Sequence, residues 1–223
     1  MRKGIYAACA AIALFGSCAG TPNPVSYKTF KVAEAEPFEV GLFKYGDKSL
    51  FGSDVNQSES VVFFEPRTNT VRFEFRSHGV KYRVRMPETM RSAVIKAVAE
   101  YRKNFDERSL NISAKGTQKN YGREVVRIEW GVTDYKAEGE TLVELGYLFV
   151  DRKTPYFTLT FQKGKNQGRT VDGGESDEYS PITALYFTKA QATNFAEVLL
   201  QENLLEKMKG REITPGEHQG DVY

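Results

Sequence analysis

Val71-Arg72-Phe73-Glu74-Phe75-Arg76-Ser77-His78-Gly79-Val80-Lys81-Tyr82-Arg83-Val84-Arg85-Met86 is the stretch on which the fold reading turns. Val71, Phe73 and Phe75 alternate with charged residues, and beyond Ser77-His78-Gly79 the alternation continues through Tyr82, Val84 and Met86. Apolar residues at every second position mark strands with one buried face. The short turn makes the two strands antiparallel neighbours. Their other face carries Arg72, Glu74, Arg76, Lys81, Arg83 and Arg85, five basic groups and one acid.

Upstream, a strand is expected over Phe38 to Tyr45, then a polar loop over Gly46 to Ser60, a strand over Val61 to Glu65 and a turn at Pro66-Arg67-Thr68-Asn69. Downstream the period changes. Met90, Ala93, Val94, Ala97, Val98, Tyr101 and Phe105 recur at helical spacing, which predicts an amphipathic helix over Pro87 to Asp106. Pro87 suits the first helical position, and Glu88 suits the positive end of the helix dipole.

The second half follows the same plan, with strands over Glu124 to Gly131, Leu142 to Val150, Tyr156 to Gln162 and Ile182 to Phe187. A long helix starts at Thr188, where Gln191 completes a capping box, and ends at Gly210. Residues 64–75 align without a gap on residues 150–161, with apolar positions and a charged turn in register. The expectation is therefore an α+β domain over residues 37–209. It holds two units of four strands and a helix, over 37–108 and 122–209, each antiparallel sheet covered by its own helix. Residues 210–223 read as a polar tail.

This layout resembles that of the Whirly and PUR-repeat proteins over residues 38–209. The resemblance implies single-stranded nucleic-acid binding, but it is one of topology alone. No sequence motif of either family is present, so no binding residue is carried over.

The N-terminus speaks of location. Met1-Arg2-Lys3 is positive, Gly4 to Phe15 is mostly apolar, and Gly16-Ser17-Cys18 closes the run with small residues. This is the pattern of an export signal over residues 1–17, too short to cross ~30 Å of hydrocarbon. It also resembles the lipobox of bacterial lipoproteins, with Phe15 where Leu is usual. That resemblance implies that Cys18 carries lipid and becomes the mature N-terminus, with residues 18–36 as a flexible tether.

Removing the signal takes away Arg2 and Lys3, leaving 29 Lys plus Arg against 29 Asp plus Glu. A neutral mature chain argues against a globally electrostatic nucleic-acid binder. The second half weakens that reading further, because the face equivalent to the basic one carries only Thr158, Thr160 and Gln162. Both cysteines, Cys9 and Cys18, lie in the signal region, which excludes a disulfide framework or a thiolate zinc site in the domain.

Arg72, Arg76, Lys81, Arg83 and Arg85 form the candidate anionic-ligand face, for phosphates, sulfated sugars or acidic headgroups. The competing reading is a solvated face balanced by acids on neighbouring strands, such as Glu39 and Glu65. Trp130 and Tyr147 read as core rather than a stacking platform. His78 and His218 offer no metal or Ser-His-Asp constellation, and the acidic loop Val171 to Glu178 lacks calcium-loop spacing. No catalytic residue, metal or cofactor is assigned. The expected partners are a membrane, through the N-terminal lipid, and an unidentified envelope component. The leading reading is a non-enzymatic lipoprotein of the cell envelope, ahead of a single-stranded nucleic-acid module and an envelope enzyme without a recognisable motif.

Overall fold

The computed structural model describes residues 35–48, 54–112, 121–135, 137–150, 153–168 and 178–212. The expected signal, Cys18, the tether up to residue 34, most of the acidic loop, and the tail with His218 lie outside them. The described elements run β1 (Phe38–Lys48), β2 (Val55–Glu65), a 3-10 turn (Pro66–Thr68), β3 (Thr70–Ser77), β4 (Val80–Met86) and α1 (Glu88–Asp106). The second half contributes β5 (Gly122–Gly131), β6 (Ala137–Phe149), β7 (Pro155–Phe161), β8 (Lys165–Asn166), β9 (Thr183–Phe187), α2 (Lys189–Leu199) and α3 (Gln201–Glu212).

Two separate sheets with one helix each do not form. Eight antiparallel strands close into one barrel, ordered β1-β2-β3-β4-β5-β6-β7-β9 and back to β1, with β8 as an extra strand on β6. The expected α+β layout of two ββββα units, with its Whirly-like arrangement, is thereby corrected. The physical reason lies at the sheet edges. Each half alone would leave rows of unpaired backbone groups along its outer strands, and closure removes those edges. β4 meets β5 across the boundary between halves, from Lys81 opposite Gly131 to Arg85 opposite Arg127. β1 meets β9 at Gly46 opposite Tyr186 and Asp47 opposite Leu185.

Alternation along each strand sends Val71, Phe73, Phe75, Tyr82, Val84, Ile128, Trp130, Val143, Leu145 and Phe161 into the lumen, all buried. An eight-stranded barrel has an interior that side chains can just fill. Here they do, with Phe75 packed on Tyr82 at 5.0 Å and on Phe161 at 5.4 Å between ring centroids. Trp130 and Tyr147 belong to this core.

Both helical segments follow strands that run toward the same end of the barrel. Phe195 of α2 enters the core against Phe73 at 5.2 Å and Phe187 at 5.4 Å. Tyr101 of α1 packs on Phe157 at 5.7 Å and donates its hydroxyl to the Pro155 carbonyl at 2.8 Å. The helices thus serve one shared core rather than two sheets. Thr188 caps α2 with the capping box expected of Thr188 and Gln191. Pro87 sits at the N-cap of α1 rather than inside it.

Two local expectations also change. β1 and β2 extend into the expected loop and pair as far as Lys48 opposite Val55, with Asn56, Gln57 and Glu59 exposed and Ser60 buried. The last helix breaks at Leu200, whose ψ of 133° leaves the helical range, and Gly210 lies within α3 instead of ending it.

Candidate functional site

The basic face lies on the outer wall of β3, β4 and β5. Strand register places Arg72, Arg85 and Arg127 in one row and Glu74, Arg83 and Glu129 in the next. Like charges directly opposite one another repel, so the first row is unfavourable alone. The acids of the second row relieve it. Glu74 Oε1 lies 3.0 Å from Arg72 Nε and 2.9 Å from Arg83 Nε. Glu129 accepts from Arg83 at 2.9 Å and from Arg85 at 3.2 Å. Glu65 takes Arg72 Nη1 at 3.2 Å, and Glu138 takes Arg127 at 2.9 Å. Glu65 was the one balancing acid named from sequence that appears in this ladder.

Arg72 also lies over the Phe63 ring at 4.4 Å and Arg83 over the Tyr135 ring at 4.0 Å. Partial burial alone would lower the Arg83 pKa, but its bonds to Glu74 and Glu129 outweigh that and raise it. Burial also raises the Tyr135 hydroxyl, with Glu74 adding to the effect. Lys81 gives its ammonium to the Thr133 carbonyl at 2.5 Å. Arg76 is exposed and, among the described residues, its guanidinium makes no ion pair. The structure therefore brings the five expected residues onto one wall, but carboxylates already hold Arg72, Arg83 and Arg85.

His78 occupies a two-residue hairpin turn with Gly79, at φ 49° and 82°, the positive values such a turn requires. Its Nε2 lies 3.6 Å from Asp47 Oδ1. Ser77 donates to that same carboxylate at 3.1 Å, and Thr183 donates to Ser77 at 2.7 Å. A serine activated for attack would hand its proton to histidine. Here the carboxylate receives both groups, so the chain Thr183–Ser77–Asp47 joins β9, β3 and β1 as a structural tie. Among the described residues, no group of three His, Cys, Asp or Glu side chains could hold a metal ion. Nor is any described helix long and apolar enough to cross a membrane.

Sequence reading missed Arg91, which is 2% exposed. Its guanidinium donates to Leu199 O at 3.2 Å, Asn69 O at 3.3 Å, Asn69 Oδ1 at 2.9 Å and Gln201 Oε1 at 2.8 Å. Burial lowers its pKa, as expected for a charge removed from water. The arginine clamps α1 to the β2–β3 turn and to the α2–α3 break. One polar residue within a helical pattern carries no signal of such a role.

No curated protein and no solved structure matches the chain. A family model described as "Uncharacterised Treponema protein" matches residues 37–206, which covers the barrel and most of its helices. The chain belongs to that family of uncharacterised Treponema proteins.

Proposed function

We propose that this protein is a lipid-anchored module of the cell envelope that works by binding through its outer surface rather than by catalysis. The observation that carries the binding part is the filled lumen. Phe73, Tyr82, Trp130 and Phe161 are each no more than 1% exposed, and they occupy the space where wider or emptier barrels hold a ligand. Recognition then falls to the wall, the loops and the helical end. The anchoring part rests on Met1 to Cys18, whose positive start, apolar run and small residues before cysteine fit lipid attachment. Multiple acyl chains at Cys18 would hold the protein stably, where one chain gives only marginal membrane binding.

The test is expression of the full chain and of Cys18→Ala in a bacterial host fed labelled palmitate, followed by fractionation. The reading expects label in the wild type alone, in the membrane fraction. A soluble, exported and unlabelled wild type would contradict the anchor, and an unlabelled protein kept in the cytoplasm would contradict export as well.

A further inference from the structure

The barrel closes unevenly at β1. Its first side pairs with β2 along nearly the whole strand, whereas on its second side β9 joins only at Gly46 and Asp47. From Gly41 to Tyr45, no described strand occupies that second side. α2 and α3 run past it instead. Phe195 touches the Phe43 ring at 5.8 Å, and Lys207 reaches the Val40 carbonyl at 2.6 Å, where a bulge interrupts the β1–β2 register. Between strand and helices lies an open depression of roughly 670 Å³. Phe43 and Val198 give it an apolar floor, and Glu197 and Glu206 give it an acidic wall. Both carboxylates are exposed, and neither takes an ion pair among the described residues.

A strand edge facing a helix across an apolar groove is the geometry by which an extended peptide adds a strand to a sheet. Backbone groups of the edge supply hydrogen bonds, and alternate side chains of the peptide point into the groove. From this geometry we infer that the β1 edge and the α2–α3 surface form a docking groove for an extended, basic segment of a partner protein. An apolar side chain would rest on Phe43 and Val198, and the inward side chains flanking it would meet Glu197 and Glu206. The positive charge of the partner follows from those two carboxylates, since opposite charge steers encounter and sets register. Lys207 does not compete for them, because its ammonium is tied to the Val40 carbonyl. This inference deepens the surface-binding reading by naming a partner class, and it stands or falls apart from lipid attachment.

The experiment is a titration of the isotope-labelled full chain, followed by amide NMR, with the acetylated and amidated peptide Thr-Lys-Thr-Val-Thr-Lys-Thr. Its counterparts replace Lys by Glu, or replace the two central Thr by Pro. The basic peptide is expected to bind and to perturb the amides of Gly41 to Tyr45. The acidic peptide should bind about tenfold more weakly, and the proline peptide, lacking two backbone donors, should bind weakly as well. Glu197→Lys with Glu206→Lys should reverse the preference between basic and acidic peptides while leaving the circular dichroism unchanged. The inference is overturned if no peptide binds, if basic and acidic peptides bind alike, or if the perturbed amides lie elsewhere, as on the Arg72 to Arg85 wall. It is equally overturned if the proline peptide binds as well as its parent, or if the free chain dimerises through Gly41 to Tyr45, which would put a second copy on the edge.

Discussion

The outer wall of β3–β5 and the strip between β1 and the final helices are both charged, and they differ in whether the charge is spent. On the wall, Glu65, Arg72, Glu74, Arg83, Glu129 and Arg85 form a continuous chain of ion pairs, reinforced by ring contacts from Phe63 and Tyr135. In the strip, Glu197 and Glu206 face an open groove beside β1, whose second side from Gly41 to Tyr45 carries no described strand. A count of basic residues points to the first region. The state of satisfaction of each group points to the second. A ligand recruited to Arg72, Arg83 or Arg85 would first have to displace carboxylates already in place, whereas one recruited to the groove would gain pairs that no described residue supplies.

The comparison can be broken most severely at Arg91, which fixes the break that gives the groove its helical side. Arg91→Met leaves the Leu199 and Asn69 carbonyls and the Gln201 amide without their buried donor. A loss of about 2–3 kcal/mol is expected, read as a fall in Tm of roughly 4–12 °C. An unchanged Tm would mean that the guanidinium is dispensable to the helical end.

Glu74→Gln probes the wall more gently, because Glu74 joins Arg72 to Arg83 and all three side chains are between one-fifth and one-third exposed. Solvent screening limits the expected loss to about 1 kcal/mol, shrinking as salt is raised. Chemical denaturation at low and high salt would show it, and a loss independent of salt would assign Glu74 a packing role instead. At the groove, Glu197→Lys with Glu206→Lys should shift stability by less than about 0.5 kcal/mol in either direction, since neither side chain takes an ion pair among the described residues. A larger loss would show that these acids serve the structure and would remove them as recognition groups. Arg76→Glu should matter least. Its exposed guanidinium makes no ion pair among the described residues, so stability and basic-peptide binding should both stay within error of wild type.

How much of this was legible beforehand differs element by element. Val80–Met86 and the helix ending at Asp106 emerged with their bounds nearly intact, because each presents a clean period of one kind. Asn56 to Glu59 did not, because polar residues on the outward side of a strand lose the apolar alternation that identifies it. Closure of the barrel was hidden for a different reason. It depends on which edges meet, as β4 meets β5 through a helix of 19 residues, and no residue pattern along one strand encodes its distant neighbour. The basic face was visible as a pattern, but its neutralisation was not. Glu129 supports Arg83 and Arg85 from a strand more than 40 residues away. The groove left still less trace, since Phe43 and Val198 are ordinary apolar residues until β1 and α2 are brought together.

The most direct test of one barrel with one open edge is amide hydrogen exchange on the full chain, resolved by residue. Amides pairing β4 to β5 should be protected about as well as those pairing β3 to β4, because both seams lie within a single cooperative wall. Along β1, amides bonded to β2 should exchange slowly, while those between Gly41 and Tyr45 that face away from β2 should exchange fast. Protection that breaks at the β4–β5 seam would restore two independent halves, and uniform protection along both sides of β1 would mean that its second edge is already filled.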